Sequence, residues 1–275
     1  LSAMQESTAP GIATSRSAGA TNYFDSPGAA ARYAASRPRG HDALLSLLPL
    51  HLGDSLPVGR ALDVGCGTGN STVALLPFAQ EIIGIDPSSF MLAQARRARG
   101  ISYRKGHAEA LPFGAAEFDL VTVASSYHWF DQDAFLSEAA RVLRPAAWLL
   151  LYKAGSSGCM PRIPAFGQWW ENAFRERYPR VARNGDPLDA VRAAEFGFME
   201  IAFHAGERLA EVELDDHVAN LLTHSSVIRG LAARGESIPE ARRWLRAELA
   251  PFFPGGSAIV TFRDWLHLWR RSEVP

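Results

Sequence analysis

The chain has 275 residues, of which 47% are hydrophobic and 21% are charged, a composition that predicts a globular protein with a sizeable core. The formal net charge of −1 disfavours nucleic acid and anionic membranes as partners. The two cysteines, Cys66 and Cys159, cannot form a disulfide framework, and no Cys/His cluster has metal-ligand spacing, so we expect no metal. No apolar run approaches the roughly 18 residues that a membrane helix needs. These features predict a cytoplasmic protein.

The N-terminal segment is rich in Ser, Ala and Gly and lacks the hydrophobic stretch of a secretory signal. We interpret residues 1–22 as a flexible tail, which begins with an expression-vector remnant before a natural initiator at Met4. The pattern becomes helical over 26–37. After Pro38, leucines at helical spacing predict a second, amphipathic helix over 41–50.

Strand and helix signals alternate from residue 60 onwards. Short apolar runs predict five strands, at 60–64, 81–86, 101–104, 118–124 and 148–152. Helical patterns lie between them, and the clearest end near Pro77, Arg99 and Leu143. Strands that are apolar throughout and separated by helices are typical of a parallel sheet covered on both faces. The sequence therefore predicts a doubly wound α/β fold, with ligand sites at the carboxyl ends of the strands.

The alternation stops after Ala154. Residues 155–158 have the composition of a linker, residues 161–250 are mostly helical and rich in aromatic residues, and strand patterns return at 198–203 and 259–262. We expect these late strands to complete a mostly parallel, seven-stranded sheet. The predicted division is a tail (1–22), a core with an N-terminal helical lid (23–154), a helical substrate cap that includes one late strand (155–256), and a final strand (257–275).

A glycine-rich segment, Asp63-Val64-Gly65-Cys66-Gly67-Thr68-Gly69-Asn70, follows the first core strand and opens a helix. Glycines permit a tight turn and a close approach of the backbone to a ligand, while the helix start directs free amides towards it. Asp86 follows Gly65 by roughly 20 residues, at the end of the second strand, where a carboxylate can accept hydrogen bonds from ribose hydroxyls. Loop, helix and acidic strand end together predict a nucleoside site.

Other interpretations of the loop remain open. The glycines can simply tighten a strand–helix turn, with Asp86 acting as a helix cap. A nicotinamide enzyme is the stronger competitor, but its fingerprint is G-x-G-x-x-G, whereas this loop reads G-x-G-x-G with an Asp two residues before the first glycine. A phosphate-binding P-loop needs Gly-Lys-Ser/Thr, which the segment does not contain.

The loop is the first of a series of motifs that covers about half the chain. The others are Ile85-Asp86-Pro87-Ser88 with Met91, and the segments 106–113, 118–121, 126–131 and 141–145. In combination they resemble the class I S-adenosylmethionine-dependent methyltransferases. The Arg37-Pro38 pair and the stretch His128-Trp129-Phe130-Asp131 narrow the resemblance towards trans-aconitate and related small-molecule methyltransferases. The resemblance implies a Rossmann-like fold and S-adenosylmethionine as cofactor.

At the methionine end of that cofactor, the resemblance implies contacts from three elements. The loop amides around Gly65, Gly67 and Gly69 would hold the methionine moiety, and Asp63 would orient its ammonium group. Ala124 and Ser125 would line the sulfur. Tyr33 and Arg37, from the N-terminal helix, would close over the carboxylate.

At the adenosine end, Asp86 would hold the ribose. The adenine would lie between residues of two loops, with Pro87 or Met91 on its face and Ala108 and Glu109 along its edge. Related sequences usually have Asp where this chain has His107, which puts the hydrogen bond to the adenine amino group in question.

The predicted chemistry places few demands on the protein. The sulfonium already activates the methyl group, so the protein has to align an acceptor and exclude water. A general base is needed only if the acceptor must lose a proton. His128 is the best candidate because histidine titrates near neutral pH, and Tyr127 is the second. His128 can equally position substrate without moving a proton, and a carboxylate or thiolate acceptor needs no base.

Candidate acceptor contacts are Trp129, Trp169, Trp170 and His224. The aromatic residues of the cap fall partly at helical spacing, so core packing and an aromatic pocket are both open. A run of arginines at 175, 177, 180 and 183 is either a solvated helix face or a recognition element for an acidic substrate.

The sequence thus predicts methyl transfer to a small-molecule acceptor, with oxygen favoured over nitrogen or sulfur and secondary metabolism as a candidate setting. The alternatives are a nicotinamide-dependent oxidoreductase and a non-catalytic S-adenosylmethionine-binding protein. The identity of the acceptor and the oligomeric state are left open.

Overall fold

Seven strands form one sheet in the computed structural model, which describes residues 22–38, 40–155, 158–183 and 187–273. The strands are β1 (Val58–Val64), β2 (Ala79–Asp86), β3 (Ile101–Lys105), β4 (Phe118–Ala124), β5 (Leu143–Lys153), β6 (Phe198–Glu213) and β7 (Ser257–Arg271). Their order is β3-β2-β1-β4-β5-β7-β6; the first five are parallel, and β7 runs antiparallel to β5 and β6. The predicted fold class is confirmed. The expected tail lies outside the described residues except for Asn22.

The helices are short and lie before and between the strands. They are α1 (Pro27–Ser36), α2 (His41–Leu45), α3 (Leu48–Leu52), α4 (Asn70–Ala74), α5 (Ser89–Ala93), α6 (Gln132–Val142), α7 (Pro164–Trp169), α8 (Arg175–Arg177), α9 (Ala190–Glu195), α10 (Leu214–Leu221), α11 (Ser225–Arg234) and α12 (Ile238–Leu249). A π-helical turn over Trp170–Phe174 joins α7 to α8. In the part of the chain that the structure describes, no helix has the length and apolar character to cross a bilayer.

The sheet is buried on both faces because consecutive residues of its central strands point to opposite sides. One apolar cluster contains Leu149 and Leu151 of β5 and packs under α6, whereas Leu150 belongs to the cluster on the other face, under α2 and α3. Each fully buried side chain of this kind stabilises the fold by about 1.5–3 kcal/mol. The sheet therefore holds the carboxyl ends of β1 to β5 in a fixed arrangement.

A third apolar cluster lies outside the sheet faces. It joins α7 and the π-helical turn to α10, α11 and α12, and it includes Trp169, Phe174 and Tyr178 together with Val260 and Phe262 of β7. Its helices follow the sequence pattern of a cap, and α12 begins with a capping box in which Ser237 and Glu240 bond each other's backbone N–H. The division of the chain at residues 154 and 256 stays a prediction.

Several predicted boundaries were wrong. The helix expected to run to Arg99 ends at Ala93, because the Arg96 N–H donates to the Thr68 carbonyl and the Tyr103 hydroxyl donates to the Arg96 carbonyl. The helix expected to end near Pro77 ends at Ala74, where the chain continues as a turn. The helix predicted over 41–50 is split into α2 and α3.

The two late strands are much longer than the predicted segments 198–203 and 259–262. They pair from Phe198↔Arg271 to Glu213↔Ser257, whereas β5 pairs with β7 only between Trp148↔Arg270 and Lys153↔Trp265. The outer half of the antiparallel β6–β7 pair therefore extends past the sheet and packs in the third apolar cluster. This pair of strands thus connects the sheet to the helices of the cap.

We expect Leu150→Ala to destabilise the fold by about 2–5 kcal/mol, because Leu150 is 0% exposed and lies between its neighbours on β4 and β7, so truncation leaves a cavity. Leu50→Ala is the matched control, since Leu50 is 72% exposed, and its effect should stay within about 0.5 kcal/mol. Urea unfolding followed by circular dichroism measures both. Equal midpoints for the two variants would contradict the assignment of Leu150 to the core.

Candidate functional site

A cavity of about 910 Å³ opens at the carboxyl ends of the parallel strands. Residues after β1, β2, β3 and β4 form its floor, and Lys153 at the end of β5 closes one side. The segment 22–25 and helix α1 cover it from above, and residues of the cap complete the wall, at 175–183 and 224–226. This edge is where open α/β sheets bind their ligands.

The glycine loop follows β1 and lies against the cavity at Gly65 and Gly67. Both have positive φ, as does Gly69, which begins α4 and does not line the cavity. A Cβ on Gly65 would lie 2.7 Å from the Cβ of Ser126, and one on Gly69 would overlap the Tyr103 hydroxyl. Side chains at these positions would clash as well as strain the backbone. The loop thus presents bare backbone to whatever occupies the cavity.

Asp86 ties this loop to the end of β2. Its Oδ2 accepts the Gly67 N–H at 3.0 Å and its Oδ1 accepts the Ser88 N–H at 2.9 Å. Burial raises the pKa of the carboxyl, while the two N–H donors act in the opposite direction. A carboxylate has about four acceptor positions, so two remain for hydroxyls of a ligand. Pro87 and Met91 line the cavity beside it.

Asp63 lies beneath the loop and not in the cavity lining. Its side chain is 0% exposed and accepts hydrogen bonds from Ser71 Oγ at 2.7 Å, Thr72 Oγ1 at 2.7 Å and Thr122 Oγ1 at 3.1 Å. Burial raises the pKa of this carboxyl to about 6, against the effect of the three hydroxyls. Asp63 therefore supports the loop from beneath. Because it does not line the cavity, it cannot directly contact an ammonium group bound there, the role that the resemblance implied.

The residues after β4 form the centre of the floor. Ser125 lines the cavity with a positive φ of 58°, a backbone conformation uncommon outside glycine and enriched at functional sites. The Ser126 hydroxyl donates to the Gly65 carbonyl at 2.9 Å, which couples this turn to the glycine loop. A smaller cavity of about 50 Å³ adjoins the loop, and Ala124 lines it together with Tyr33 and Arg37, which also line the larger cavity.

The opposite wall comes from the loop after β3. His107, Ala108 and Glu109 line the cavity, and Glu109 Oε1 accepts the Asp131 N–H at 3.0 Å. The Met91 side chain is buried on the same side, where its Cε would lie 3.1 Å from a Cβ on Gly67.

His128 lines the cavity, and its ring centroid lies 4.8 Å from that of Trp129. Burial, reinforced by the positive charges of Arg183 and Lys153, lowers its pKa to about 3. His128 is therefore neutral at physiological pH and a weak proton acceptor.

Tyr127 does not line the cavity, although it was predicted as the second candidate base. Its ring packs against Phe130 and Phe135 in the core under α6, and burial raises its pKa to about 12. In the 3-10 turn over Tyr127–Trp129, His128 and Trp129 lie on the cavity side and Tyr127 lies on the core side.

Of the four candidate acceptor contacts, Trp129 and His224 line the cavity and Trp169 and Trp170 do not. The Trp169 indole N–H donates to Glu248 at 2.9 Å inside the third apolar cluster, and the Trp170 ring stacks on Phe174 at 4.3 Å. Trp169 and Trp170 therefore pack in the core of the cap and do not form an aromatic pocket for the acceptor.

Sequence reasoning missed two groups of lining residues. Tyr23, Phe24 and Asp25 fall at the edge of the segment interpreted as a tail, yet the Ser88 hydroxyl donates to Asp25 at 2.8 Å and the Tyr23 ring lies 5.9 Å from Trp129. Lys153 carried no signal beyond its position at the end of a predicted strand. Arginines 175, 180 and 183 were noticed as a run, but only the fold shows that they line the cavity and that Arg177 does not.

Residues 62–151 match the family described as "Methyltransferase domain". The chain is 34% identical over 131 residues to the uncharacterized methyltransferase YcgJ of Bacillus subtilis, covering 45% of this chain and 50% of that protein. It is 37% identical over 156 residues to a malonyl-[acyl-carrier protein] O-methyltransferase of Enterobacter lignolyticus, covering 56% and 58%. The chain thus spans about half the length of these curated relatives.

Two solved structures share the fold. One, described as a type II methyltransferase from Anaeromyxobacter dehalogenans, superposes with a TM-score of 0.64 at 24% identity, over 87% of this chain and 99% of that chain. The crystal structure of YcgJ from Bacillus subtilis superposes with a TM-score of 0.52 at 20% identity, over 85% of this chain and all of that chain.

The glycine loop, the acidic end of β2 and the family match together define residues 62–151 as a methyltransferase domain of class I, the class that uses S-adenosylmethionine. This confirms the resemblance found in the motifs at the level of the class; the narrower likeness to trans-aconitate methyltransferases stays a prediction. The residues present fit that cofactor, because a loop that only glycine can form faces a carboxylate with free acceptor positions.

We expect Asp86→Ala to weaken binding of S-adenosylhomocysteine at least tenfold, about 1.4 kcal/mol, because it removes both the acceptor for ribose hydroxyls and the anchor of the Gly67 amide. Isothermal titration calorimetry measures the affinity. Asp54→Ala, in an exposed turn, is the matched control and should bind as the wild type does. Undiminished affinity in Asp86→Ala would contradict the ribose assignment.

Proposed function

We propose that this protein transfers the methyl group of S-adenosylmethionine to a small-molecule acceptor, with oxygen as the favoured atom. The observation that carries the proposal is one cavity with two different ends. The glycine loop and Asp86 form a nucleoside-binding end, and His128, Trp129 and His224 lie in the remaining space under the cap. A volume of about 910 Å³ falls near the upper end of the usual range for small-molecule pockets, so it has room for a cofactor and an acceptor.

In this proposal the bare loop backbone at Gly65 and Gly67 lies against the methionine moiety, while Asp86 keeps the Gly67 N–H and holds the ribose with its remaining acceptor positions. Pro87, Met91, Ala108 and Glu109 surround the adenine, and Tyr33 and Arg37 lie over the carboxylate. When bound, the cofactor supplies an activated methyl group. The protein's own part is to fix the acceptor in line with that group and to keep water out, which the segment 22–25 and α1 do by covering the cavity.

The state of His128 favours an acceptor atom that is already deprotonated at neutral pH. A side chain with a pKa of about 3 removes a proton poorly from an alcohol or phenol. It can still accept a hydrogen bond from the acceptor and orient it. We therefore propose His128 as an orienting residue, and an ionised oxygen as the group that is methylated.

A small acceptor is favoured over a macromolecule because the cap and the N-terminal segment both contribute to the cavity wall. The net charge of −1 gives no general attraction to nucleic acid. The nicotinamide alternative is disfavoured by the family match. We place the protein in the cytoplasm, with secondary metabolism as a hypothesis that the large aromatic cap supports.

Incubation with methyl-labelled S-adenosylmethionine and a metabolite extract tests the transfer itself. We expect labelled products of low molecular mass, each heavier than its precursor by one methylene unit, and no label when Asp86→Ala replaces the wild type. Label in protein or nucleic acid alone would contradict a small-molecule acceptor. Normal cofactor binding without any labelled product would favour the non-catalytic alternative.

We expect His128→Gln to lower kcat by about tenfold, less than the 10²–10⁴ lost when a general base is removed. Since the pKa of His128 is about 3, its protonation does not change between pH 5 and 8, so the variant and the wild type should have pH profiles of the same shape. Steady-state kinetics across that range, with the affinity for S-adenosylhomocysteine as the control, check this. An inflection near neutral pH that only the wild type shows would establish His128 as the base instead.

A further inference from the structure

One side of the cavity carries a concentration of positive charge that the proposed cofactor contacts do not use. Lys153 ends β5, Arg175 begins α8, and Arg183 follows in the same segment of the cap. All three line the cavity, and we call them the cationic cluster. Arg37, assigned above to the cofactor, and Arg180 lie in the same wall.

No carboxylate of the described residues pairs with any member of the cationic cluster. Arg180 has a partner, Glu171, at 3.2 Å. Arg175 lies over the Trp170 ring at 5.0 Å, and Arg183 lies 5.9 Å from the centre of the Trp129 ring. Aromatic faces attract cations but leave the hydrogen-bond donors of the guanidinium groups available to a ligand.

The acidic residues that line the cavity lie at its other end, beside β2 and β3. Asp86 ends β2, Asp25 is bonded to Ser88 just after it, and Glu109 follows β3. In the strand order β3-β2-β1-β4-β5, these carboxylates are separated from Lys153 by β1 and β4. The cavity therefore has an acidic nucleoside end and a basic acceptor end.

The members of the cationic cluster are close enough to disfavour one another's charge. After burial, Arg183 and Arg37 are the causes that lower the pKa of Lys153. Burial and the charges of Arg180 and Arg183 lower the pKa of Arg175, against the opposite effect of the Glu171 carboxylate. A sulfonium in the same cavity would add a further positive charge. Unpaired charges held together away from water are unfavourable unless an anion compensates them.

We propose that the cationic cluster is the binding site for an anionic group of the methyl acceptor, so that the acceptor is an acidic small molecule. The inference rests on the proposed function. Planar guanidinium groups bind carboxylates and phosphates with paired hydrogen bonds, and the Lys153 ammonium adds a point charge at the end of β5, the strand beside β4. Both anion types share this chemistry.

Titration calorimetry on the protein saturated with S-adenosylhomocysteine tests the site with three probes: succinate, inorganic phosphate and the neutral succinamide. We expect at least one anion to bind and succinamide not to bind. Lys153→Gln and Arg175→Gln should each weaken that binding at least fivefold, and Arg175→Lys should restore part of it. Succinate and phosphate distinguish a carboxylate from a phosphate as the recognised group.

Arg263→Gln is the matched control, because Arg263 is an exposed arginine that pairs with Glu207 away from the cavity; it should bind the anion as the wild type does. Affinity for S-adenosylhomocysteine, measured on every variant, separates this inference from the proposed function. With that affinity intact, the absence of anion binding in the wild type, or binding unchanged in both Gln variants, overturns the anion site. Absence of S-adenosylhomocysteine binding in the wild type would overturn the proposed function instead.

Discussion

The arrangement of the site depends on the side chain of Asp63, a carboxylate that does not line the cavity itself. Asp63 is fully buried at the end of β1 and accepts hydrogen bonds from hydroxyls of α4 and of β4. An uncompensated carboxylate at this depth would be strongly unfavourable, so the three hydroxyls and the carboxylate stabilise one another only in this arrangement. Because they join β1, β4 and the first turn of α4, they fix both ends of the glycine loop. Asp86 then holds the loop from the side through the Gly67 amide.

The distribution of charge across the cavity links recognition to the chemistry at His128. After burial, the positive charges of Arg183 and Lys153 are the causes that lower the pKa of this imidazole. An anion bound near those two cations would offset their part of the shift, while burial, the first cause, would still hold the pKa of His128 below its ordinary value. Binding of an acidic acceptor would thus strengthen the hydrogen-bond acceptor that orients it, whereas a neutral acceptor would leave His128 at its weakest.

The sequence was sufficient for the parts of the fold in which local pattern and tertiary packing agree. The strand at 118–124 has the predicted bounds, because its mostly apolar run fits a strand that is buried on both faces. The helix after Ser88 was overestimated, since tertiary hydrogen bonds to Thr68 and Tyr103 hold the backbone around Arg96 in another conformation. The late strands were underestimated because the outer half of β6 is half exposed and pairs with β7 beyond the end of β5.

Within the site, the motif-bearing residues after β1, β2 and β3 could be predicted because their roles follow from position along one strand and its loop. Residues brought in by long-range contacts could not. Asp25 reaches the cavity through the Ser88 hydroxyl, and Lys153 differs from any other strand-end lysine only through what the cap places opposite it. The contacts that bring Asp25 and Lys153 to the cavity are a property of the tertiary fold, so no residue spacing in the sequence indicates them.

The aromatic residues of the cap show how a wrong residue assignment can still indicate the right region. Trp169 and Trp170 face away from the cavity into the third apolar cluster, which also packs against the outer half of the β6–β7 pair. That packing fixes the π-helical turn, and the turn delivers Arg175 to the cavity with its guanidinium over the Trp170 ring. If the cations bind the acceptor as proposed, the aromatic residues would act on it through the cations that they position, and the specificity of the cap would depend on the packing of its core.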